Sequence, residues 1–144
     1  MSPILTLLSF VIQSAQAEEV DGKRVYRHVC RNCHNIKGMG ISPVYPPLVG
    51  SERMVDPDVT VPIRIVLHGM SGPTTVGKKT YKTMSMTPQA QLSDPEIAAV
   101  LTYIRQSWGN EASPVTPEQV KAVRDQYSPR QKPWTVETLK ASTP

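Results

Sequence analysis

The sequence predicts a small all-α domain, and three observations lead to that class. Two helix-start signatures, Ser93-x-x-Glu96 and Thr116-x-x-Gln119, each precede apolar residues spaced along one helical face. The 144 residues are 39% hydrophobic and 19% charged, which suits one compact domain. Both cysteines lie in a Cys-x-x-Cys-His motif that fits one turn of a helix. We therefore expect helices packed around a single core.

Residues 1–17 are expected to be a secretory signal peptide. An apolar stretch from Ile4 to Ile12 runs into Ala15-Gln16-Ala17, a small-x-small pattern that Glu18 follows at once. The stretch is shorter than the roughly 20 residues that a membrane-spanning helix needs, which disfavours an uncleaved anchor. We predict cleavage after Ala17, a periplasmic mature chain and no stable membrane span.

The first element of the mature chain is expected to be a helix that Asp21 caps and that carries the cysteine motif at its end. Residues 37–57 follow as a predicted loop, because glycines and prolines interrupt every apolar period there. A long irregular segment in a small domain is usually functional. We expect this loop to wrap around a bound group.

The middle of the chain is expected to contain a short helix and a hairpin. Residues 59–67 include β-branched residues typical of a strand, but Pro62 near the start and Gly69 after the end favour a helix. Residues 72–83 are rich in Thr, Gly and Lys and are expected to form a hairpin that turns at Gly77-Lys78.

The clearest predicted helix begins after Ser93 and is expected to end at Gly109. Its apolar face is formed by Ile97, Val100, Leu101, Ile104 and Trp108. The Thr116 signature opens another short helix that ends before Ser128-Pro129. The remainder is expected to be a polar tail with one aromatic anchor, Trp134.

The segment Cys30-Arg-Asn-Cys33-His34 is the attachment pattern of c-type haem. In this pattern the two thiols add to the haem vinyl groups as thioethers, and the adjacent histidine binds the iron. We therefore predict one covalent haem c held by Cys30 and Cys33, with His34 as an axial iron ligand.

Three other uses of the two cysteines are disfavoured. A structural zinc site needs further ligands, and His28 and His68 are 40 positions apart with no second ligand pair nearby. A thioredoxin-like redox pair expects a strand before the motif, which is not predicted here. A disulfide would close a very short loop and would leave His34 without a role.

Five blocks occur in a fixed order from Gly22 to Asn110. They are Gly22-x-x-x-Tyr26-x-x-x-Cys30-x-x-Cys33-His34, Tyr45-Pro-Pro-Leu-Val-Gly-Ser51, Ile63-Arg-Ile-Val-Leu-His-Gly69, Met86-Thr-Pro88 and Leu92-Ser-Asp-Pro-Glu-Ile-Ala-Ala-Val-Leu-Thr-Tyr-Ile-Arg105. This order resembles class I cytochrome c, in particular the haem c domains that serve bacterial periplasmic dehydrogenases and oxidoreductases. The resemblance implies a small class I cytochrome c fold over residues 18–110, followed by a C-terminal extension over 111–144.

The resemblance also implies a second axial ligand, a methionine thioether placed just before the C-terminal helix of the haem domain. The distance to Leu92 favours Met86, with Met84 as the alternative. Thr87 stands where the family often has proline. His68 is the remaining candidate, as part of a bis-histidine haem, but its position before Gly69 favours a structural role.

The surroundings of the haem follow from the same resemblance. Pro47, in the Pro46-Pro47-Leu48 loop, is expected to supply the carbonyl that holds the second nitrogen of His34. Arg64 and Tyr81 are the candidates for hydrogen bonds to the haem propionates, although an ordinary solvated position is the alternative for Arg64. Gly22 and Tyr26 are expected to meet Leu101 and Tyr103 where two helices cross.

The expected ligand set implies electron transfer rather than catalysis, because two strong axial ligands leave no open iron position for oxygen or substrate. The expected partners are a donor dehydrogenase and an acceptor cytochrome or oxidase, reached by diffusion or bound as a larger catalytic subunit. A haem enzyme or ligand sensor with a displaceable sixth ligand is the alternative.

The charges and the extension leave two questions open. The net charge of +4 lies entirely after residue 17, and export makes nucleic acid an unsuitable partner. Arg24, Arg27, Arg31 and Lys37 surround the motif in sequence and form either a solvated face or a surface that steers an acidic redox partner. Trp134 either anchors on a partner subunit or belongs to a strap folded back over its own domain.

Overall fold

The computed structural model describes residues 18–142, so the expected signal peptide lies outside the described part. The helices are α1 (Gly22–Val25), α2 (Arg31–His34), α3 (Thr60–His68), α4 (Asp94–Arg105), α5 (Pro117–Gln126) and α6 (Val136–Ala141), and a π-helical turn (Tyr26–Cys30) joins α1 to α2. The strands are β1 (Met70–Ser71), β2 (Thr74–Val76), β3 (Lys79–Tyr81) and β4 (Ser85–Met86). The expected helical class is confirmed, with two small antiparallel sheets added to it.

The helix that carries the cysteine motif begins as predicted. The Asp21 carboxylate accepts hydrogen bonds from the backbone N–H groups of Lys23 at 3.0 Å and Arg24 at 3.3 Å. A π-helical turn then interrupts the helix and ends at Cys30, the first residue of the motif; such turns are frequent at functional sites. The α-helix resumes at Arg31 as α2, which carries Cys33 and His34 at adjacent positions.

The sequence predicted one of the two sheets and did not predict the other. Strands β2 and β3 pair Thr74 with Tyr81 and turn at Gly77-Lys78, which confirms the predicted hairpin. Strands β1 and β4 pair Met70 with Met86 and were not predicted. A strand of two residues is too short to show an alternating pattern, so only the folded chain reveals this second sheet.

Helix α1 crosses α4 and packs against it. A Cβ atom on Gly22 would lie 2.0 Å from the Ala99 carbonyl oxygen, so only glycine permits this approach. The rings of Tyr26 and Tyr103 lie 5.5 Å apart at the same crossing. The predicted meeting of the two helices is therefore present, and it depends on backbone proximity at one residue.

Helix α4 is shorter than predicted. It ends at Arg105, so the prediction that Trp108 belongs to its apolar face is wrong. Trp108 has a left-handed backbone (φ 55°) and its ring lies 5.1 Å from that of Tyr26. The tryptophan therefore packs through a turn after the helix and covers the outer side of the α1–α4 crossing.

Residues 111–142, called the C-terminal strap below, pack against the rest of the domain. Five side chains of the strap are buried: Val115, Val120, Val123, Trp134 and Leu139. Trp134 is 2% exposed, which corrects the interpretation that it anchors on a partner subunit and supports the strap. The segment expected to be a polar tail also contains a helix, α6, which was not predicted. No helix within 18–142 has both the length and the hydropathy needed to cross a membrane.

Candidate functional site

A cleft of about 1000 Å³, including its open mouth, lies beside the cysteine motif. Its wall is formed by four parts of the chain: Val29, Cys30, Cys33 and His34; Tyr45–Leu48, Ser51, Arg53 and Met54; Ile65, Met70, Thr74 and Val76; and Met84–Thr87 with Gln89. Most of these side chains are apolar, and polar side chains are interspersed among them. Such a cleft has the size and character of a site for a large, flat, mainly apolar ligand.

His34 is held for binding through one ring nitrogen. Its Nδ1 lies 3.2 Å from the carbonyl oxygen of Pro46, and burial lowers the pKa of His34 although this carbonyl acts in the opposite direction. A neutral ring that donates its Nδ1 proton keeps the Nε2 lone pair for a metal. The prediction that Pro47 supplies this carbonyl is wrong by one residue, because the spacing does not determine which carbonyl of the Pro-Pro pair turns toward the ring.

The Pro46 loop is held in place by a buried asparagine that the sequence reasoning missed. The Asn110 side chain accepts a hydrogen bond from the Gly50 N–H at 2.9 Å and donates to the carbonyls of Leu48 at 3.2 Å and Ile104 at 3.0 Å. These partners lie up to 62 positions away in sequence. No local sequence pattern indicates such a contact. In the sequence analysis Asn110 marks only the end of the expected domain.

Cys30 is half-buried and Cys33 is exposed, and no disulfide joins them. Burial, followed by the neighbouring Cys33, raises the pKa of Cys30 to about 11. A redox-active pair needs a thiol of lowered pKa, so this environment disfavours a thioredoxin-like role. Within residues 18–142 no three His, Cys, Asp or Glu side chains come together as a metal-binding group, which disfavours a structural zinc site.

Both methionines proposed as the second axial ligand line the cleft. Met86 lies in β4 and is half-buried, whereas Met84 precedes the strand and is 8% exposed. Met54 and Met70 also contribute to the wall. The structure therefore brings thioether sulfur to the same cleft as His34, and histidine with methionine is one of the axial ligand sets of haem c.

Arg64 and Tyr81 are not brought to the cleft wall. Arg64 is fully buried, and its guanidinium donates to the carbonyl of Thr60 at 3.2 Å and to Ser142 Oγ at 2.6 Å. The expectation that it meets a haem propionate is corrected for a simple reason: Ile65 lines the cleft, and Arg64 lies about 100° away around α3. Tyr81 is buried in β3 but is absent from the lining residues.

Two polar residues of the cleft wall, Arg53 and Thr74, were not identified from the sequence. Thr74 Oγ1 is buried and has no hydrogen-bond partner. Arg53 also lines the cleft; its Nη1 donates to the Thr75 carbonyl at 3.4 Å, and burial lowers its pKa. Burial of a hydroxyl without a hydrogen-bond partner lowers the stability of the fold. The wall at Arg53 and Thr74 therefore fits a ligand that carries an acidic oxygen-bearing group.

His68 lies outside the cleft. Its Nδ1 is 3.3 Å from the Arg64 carbonyl and its Nε2 is 3.2 Å from the Tyr127 carbonyl. Both ring nitrogens are therefore engaged by backbone oxygens between α3 and the strap. This placement agrees with the structural role expected for His68 and not with an iron ligand.

The chain is similar in sequence to a known protein family. Residues 19–108 match the sequence model of the family described as cytochrome c. Cytochrome c-552 of Thermus thermophilus is 34% identical over 128 residues, which cover 83% of this chain and 85% of that protein.

Two further relatives are subunits of larger enzymes. The cytochrome c subunit of the quinone alcohol dehydrogenase of Gluconacetobacter polyoxogenes is 31% identical, over 83% of this chain and 25% of that protein. The gluconate 2-dehydrogenase cytochrome c subunit of Pantoea cypripedii is 35% identical, over 72% of this chain and 24% of that protein. The chain thus spans about a quarter of each subunit.

Proposed function

The chain belongs to the cytochrome c family and is therefore an electron carrier with covalently bound haem c, and we propose that His34 and Met86 are the two axial ligands of its iron. The observation that carries this proposal is that one cleft is lined by the two motif cysteines, the His34 imidazole and both candidate ligands of the methionine segment, Met84 and Met86. When bound, the haem supplies a one-electron couple between ferric and ferrous iron.

Each residue has a distinct role in this proposal. Cys30 and Cys33 hold the porphyrin through thioethers, and the Nε2 of His34 binds the iron while the Pro46 carbonyl fixes the ring through Nδ1. Met86 supplies a soft sulfur ligand that favours ferrous iron and raises the reduction potential. With His34 and Met86 both engaged, no iron position would remain open to a substrate, and the group would supply electron transfer alone.

The ligand assignment is tested with a pair of methionine variants. In the ferric protein, a thioether bound to haem iron gives a charge-transfer band in the far red. Met86→Ala is expected to abolish this band, and the matched variant Met84→Ala is expected to retain it. Retention in Met86→Ala together with loss in Met84→Ala would transfer the ligand role to Met84, and a band that survives in both variants would refute methionine ligation by this segment.

We assign the propionate-binding role to Arg53 and Thr74 in place of Arg64 and Tyr81. Arg53 supplies a cation that is partly withdrawn from water, and Thr74 supplies a hydroxyl that lacks a partner within the protein. A propionate oxygen satisfies that hydroxyl and compensates part of the desolvation of the guanidinium. Arg53 and Thr74 would therefore hold the haem through its propionates.

The periplasm is the proposed location, after removal of residues 1–17 as a signal peptide, with residues 18–110 as the haem domain. The relatives named as cytochrome c subunits of alcohol and gluconate dehydrogenases support a dehydrogenase as the electron donor. Purification of the exported protein tests both parts. The mature chain should begin at Glu18, and a large dehydrogenase subunit should co-purify with it if the association is stable.

A partner surface is proposed on the N-terminal side of the cleft. Arg24, Arg27, Arg31 and Lys37 are all exposed, as expected for a surface that attracts an acidic redox protein. The loop after His34 adds exposed apolar side chains, at 44–58% exposure: Ile36, Met39, Ile41 and Val44. Charges of one sign around an apolar contact area are typical of transient interfaces, where the charges accelerate encounter.

Stopped-flow oxidation by ferricyanide, an anionic probe, tests the steering role of the arginines. Replacement of Arg24, Arg27 and Arg31 by Gln is expected to slow oxidation at low ionic strength, with the difference vanishing at high salt. The matched control replaces Lys121, Lys132 and Lys140, which are exposed in the strap, and changes the net charge equally. Equal slowing in the two triple variants would show that Arg24, Arg27 and Arg31 form an ordinary solvated surface with no steering role.

A further inference from the structure

We propose that the C-terminal strap positions the axial methionine, because Trp134 forms a β-bridge with Met70 at the outer edge of the two-stranded sheet that contains Met86. The inference rests on the proposed function, since it takes a methionine of residues 84–86 as the iron ligand. It gives a role to the strap, which lies entirely outside residues 19–108, the region that the family model matches.

The contact between strap and sheet is made by the backbone. The Trp134 N–H donates to the Gly69 carbonyl at 3.0 Å, and the Ser71 N–H donates to the Trp134 carbonyl at 2.8 Å. Met70 is therefore paired in parallel with Trp134 on one side and in antiparallel with Met86 on the other. The order across this small sheet is Trp134, Met70 and Met86.

The methionine segment is paired with β1 through Met86 and is also hydrogen-bonded to Gly72 and, just beyond it, to α3. The Gly72 N–H donates to the Met84 carbonyl at 3.1 Å, and the Gln89 N–H donates to the Val66 carbonyl at 2.8 Å. At Gly69, a Cβ atom would lie 2.2 Å from the Met86 carbonyl oxygen, so glycine lets the two backbones meet. Both candidate ligands therefore depend on the position of β1, whichever of them binds the iron.

Trp134 is itself held firmly against α3. The Arg130 guanidinium lies 3.5 Å from the Trp134 ring centroid, and the Arg64 guanidinium lies 5.2 Å from it. Buried cation–π contacts of this kind stabilise more than exposed ones. Arg64 also donates to Ser142 Oγ and, at 3.5 Å, to the Leu139 carbonyl, so one buried arginine connects α3 to both α6 and the tryptophan.

This arrangement makes displacement of the methionine more costly. For an external ligand to take the sixth iron position, residues 84–86 must move away, which requires local opening of the β1–β4 sheet. The edge of β1 that faces away from Met86 would be unpaired without the strap. With Trp134 in place, opening must also disturb a buried aromatic side chain, so the strap keeps the thioether on the iron.

The test measures cyanide binding to the ferric holoprotein, full chain, alongside urea unfolding. Trp134→Ala is expected to raise the cyanide affinity by about tenfold, a local change of about 1.4 kcal/mol. The matched control, Val123→Ala, removes a buried strap side chain in α5 that takes no part in the sheet, and is expected to stay within about twofold. Trp134→Phe, which keeps an aromatic ring, should fold more readily and show a smaller change in the same direction.

The possible outcomes separate this inference from the proposed function. If the unmodified protein lacks the far-red methionine band, the proposed ligand fails and the inference fails with it. If the band is present but Trp134→Ala and Trp134→Phe leave the cyanide affinity unchanged, the inference alone is overturned. It is also overturned if Val123→Ala raises the affinity as much as Trp134→Ala at equal loss of unfolding free energy, because the strap then contributes only global stability.

Discussion

Replacement of Asn110 by alanine tests how the loop that orients His34 is held. The asparagine is 7% exposed and makes three hydrogen bonds to backbone groups of two different segments. The Leu48 carbonyl also accepts from the Ser51 N–H at 3.3 Å, and the Ile104 carbonyl also accepts from the Ser107 N–H at 3.4 Å, so both carbonyls keep a partner after the change. The Gly50 N–H loses the acceptor that Asn110 provides.

The expected loss follows from these contacts. One abandoned N–H costs about 1–2 kcal/mol, and two further hydrogen bonds contribute about 0.5 kcal/mol each, which gives a loss of about 2–3 kcal/mol in the free energy of unfolding. Urea unfolding of the holoprotein, monitored by far-ultraviolet circular dichroism, measures the loss as a shift of the midpoint at constant slope. Asn32→Ala, at an exposed position in α2, is the control. A loss below about 0.5 kcal/mol for Asn110→Ala would refute the reasoning.

Three further predictions concern other parts of the molecule. Gly22→Ala should destabilise the holoprotein by about 3 kcal/mol, since the added Cβ meets the backbone of Ala99; unfolding within about 0.5 kcal/mol of the parent would contradict that packing. Thr74→Val should lower stability by about 1 kcal/mol if the hydroxyl bonds a haem propionate, whereas a stabilised variant would show that the hydroxyl stays unpaired. The Ser93 hydrogen bonds lower the pKa of Glu96, so they should stabilise the fold above pH 4.5 and lose this effect as the pH falls below it. Glu96→Gln should therefore make the free energy of unfolding less dependent on pH in this range. A pH dependence equal to that of the parent would count against the capping box.

Much of the site could be predicted because its chemistry is local in sequence. Cys30, Cys33 and His34 form one five-residue motif, and the capping residues Ser93 and Thr116 act on N–H groups three positions away. Such signals survive without knowledge of the fold. The predicted hairpin and the predicted crossing at Gly22 belong to the same group, because glycine has a restricted set of uses at these positions.

The remaining features depend on contacts between distant segments. Arg64 was assigned to the cleft, but its direction is decided by the strap, whose Ser142 hydroxyl is 78 positions away. Asn110 and Thr74 act through buried positions that no periodic pattern indicates. The choice between the carbonyls of Pro46 and Pro47 depends on the path of a loop, which spacing does not determine.

The central claim is that this chain carries haem covalently on its two cysteines, and intact-mass measurement of the exported protein tests it most directly. We predict that the mature chain is heavier than its polypeptide by one haem and that Cys30→Ala combined with Cys33→Ala removes the added mass. A mature chain whose mass equals that of the bare polypeptide, with both thiols free, would contradict the account.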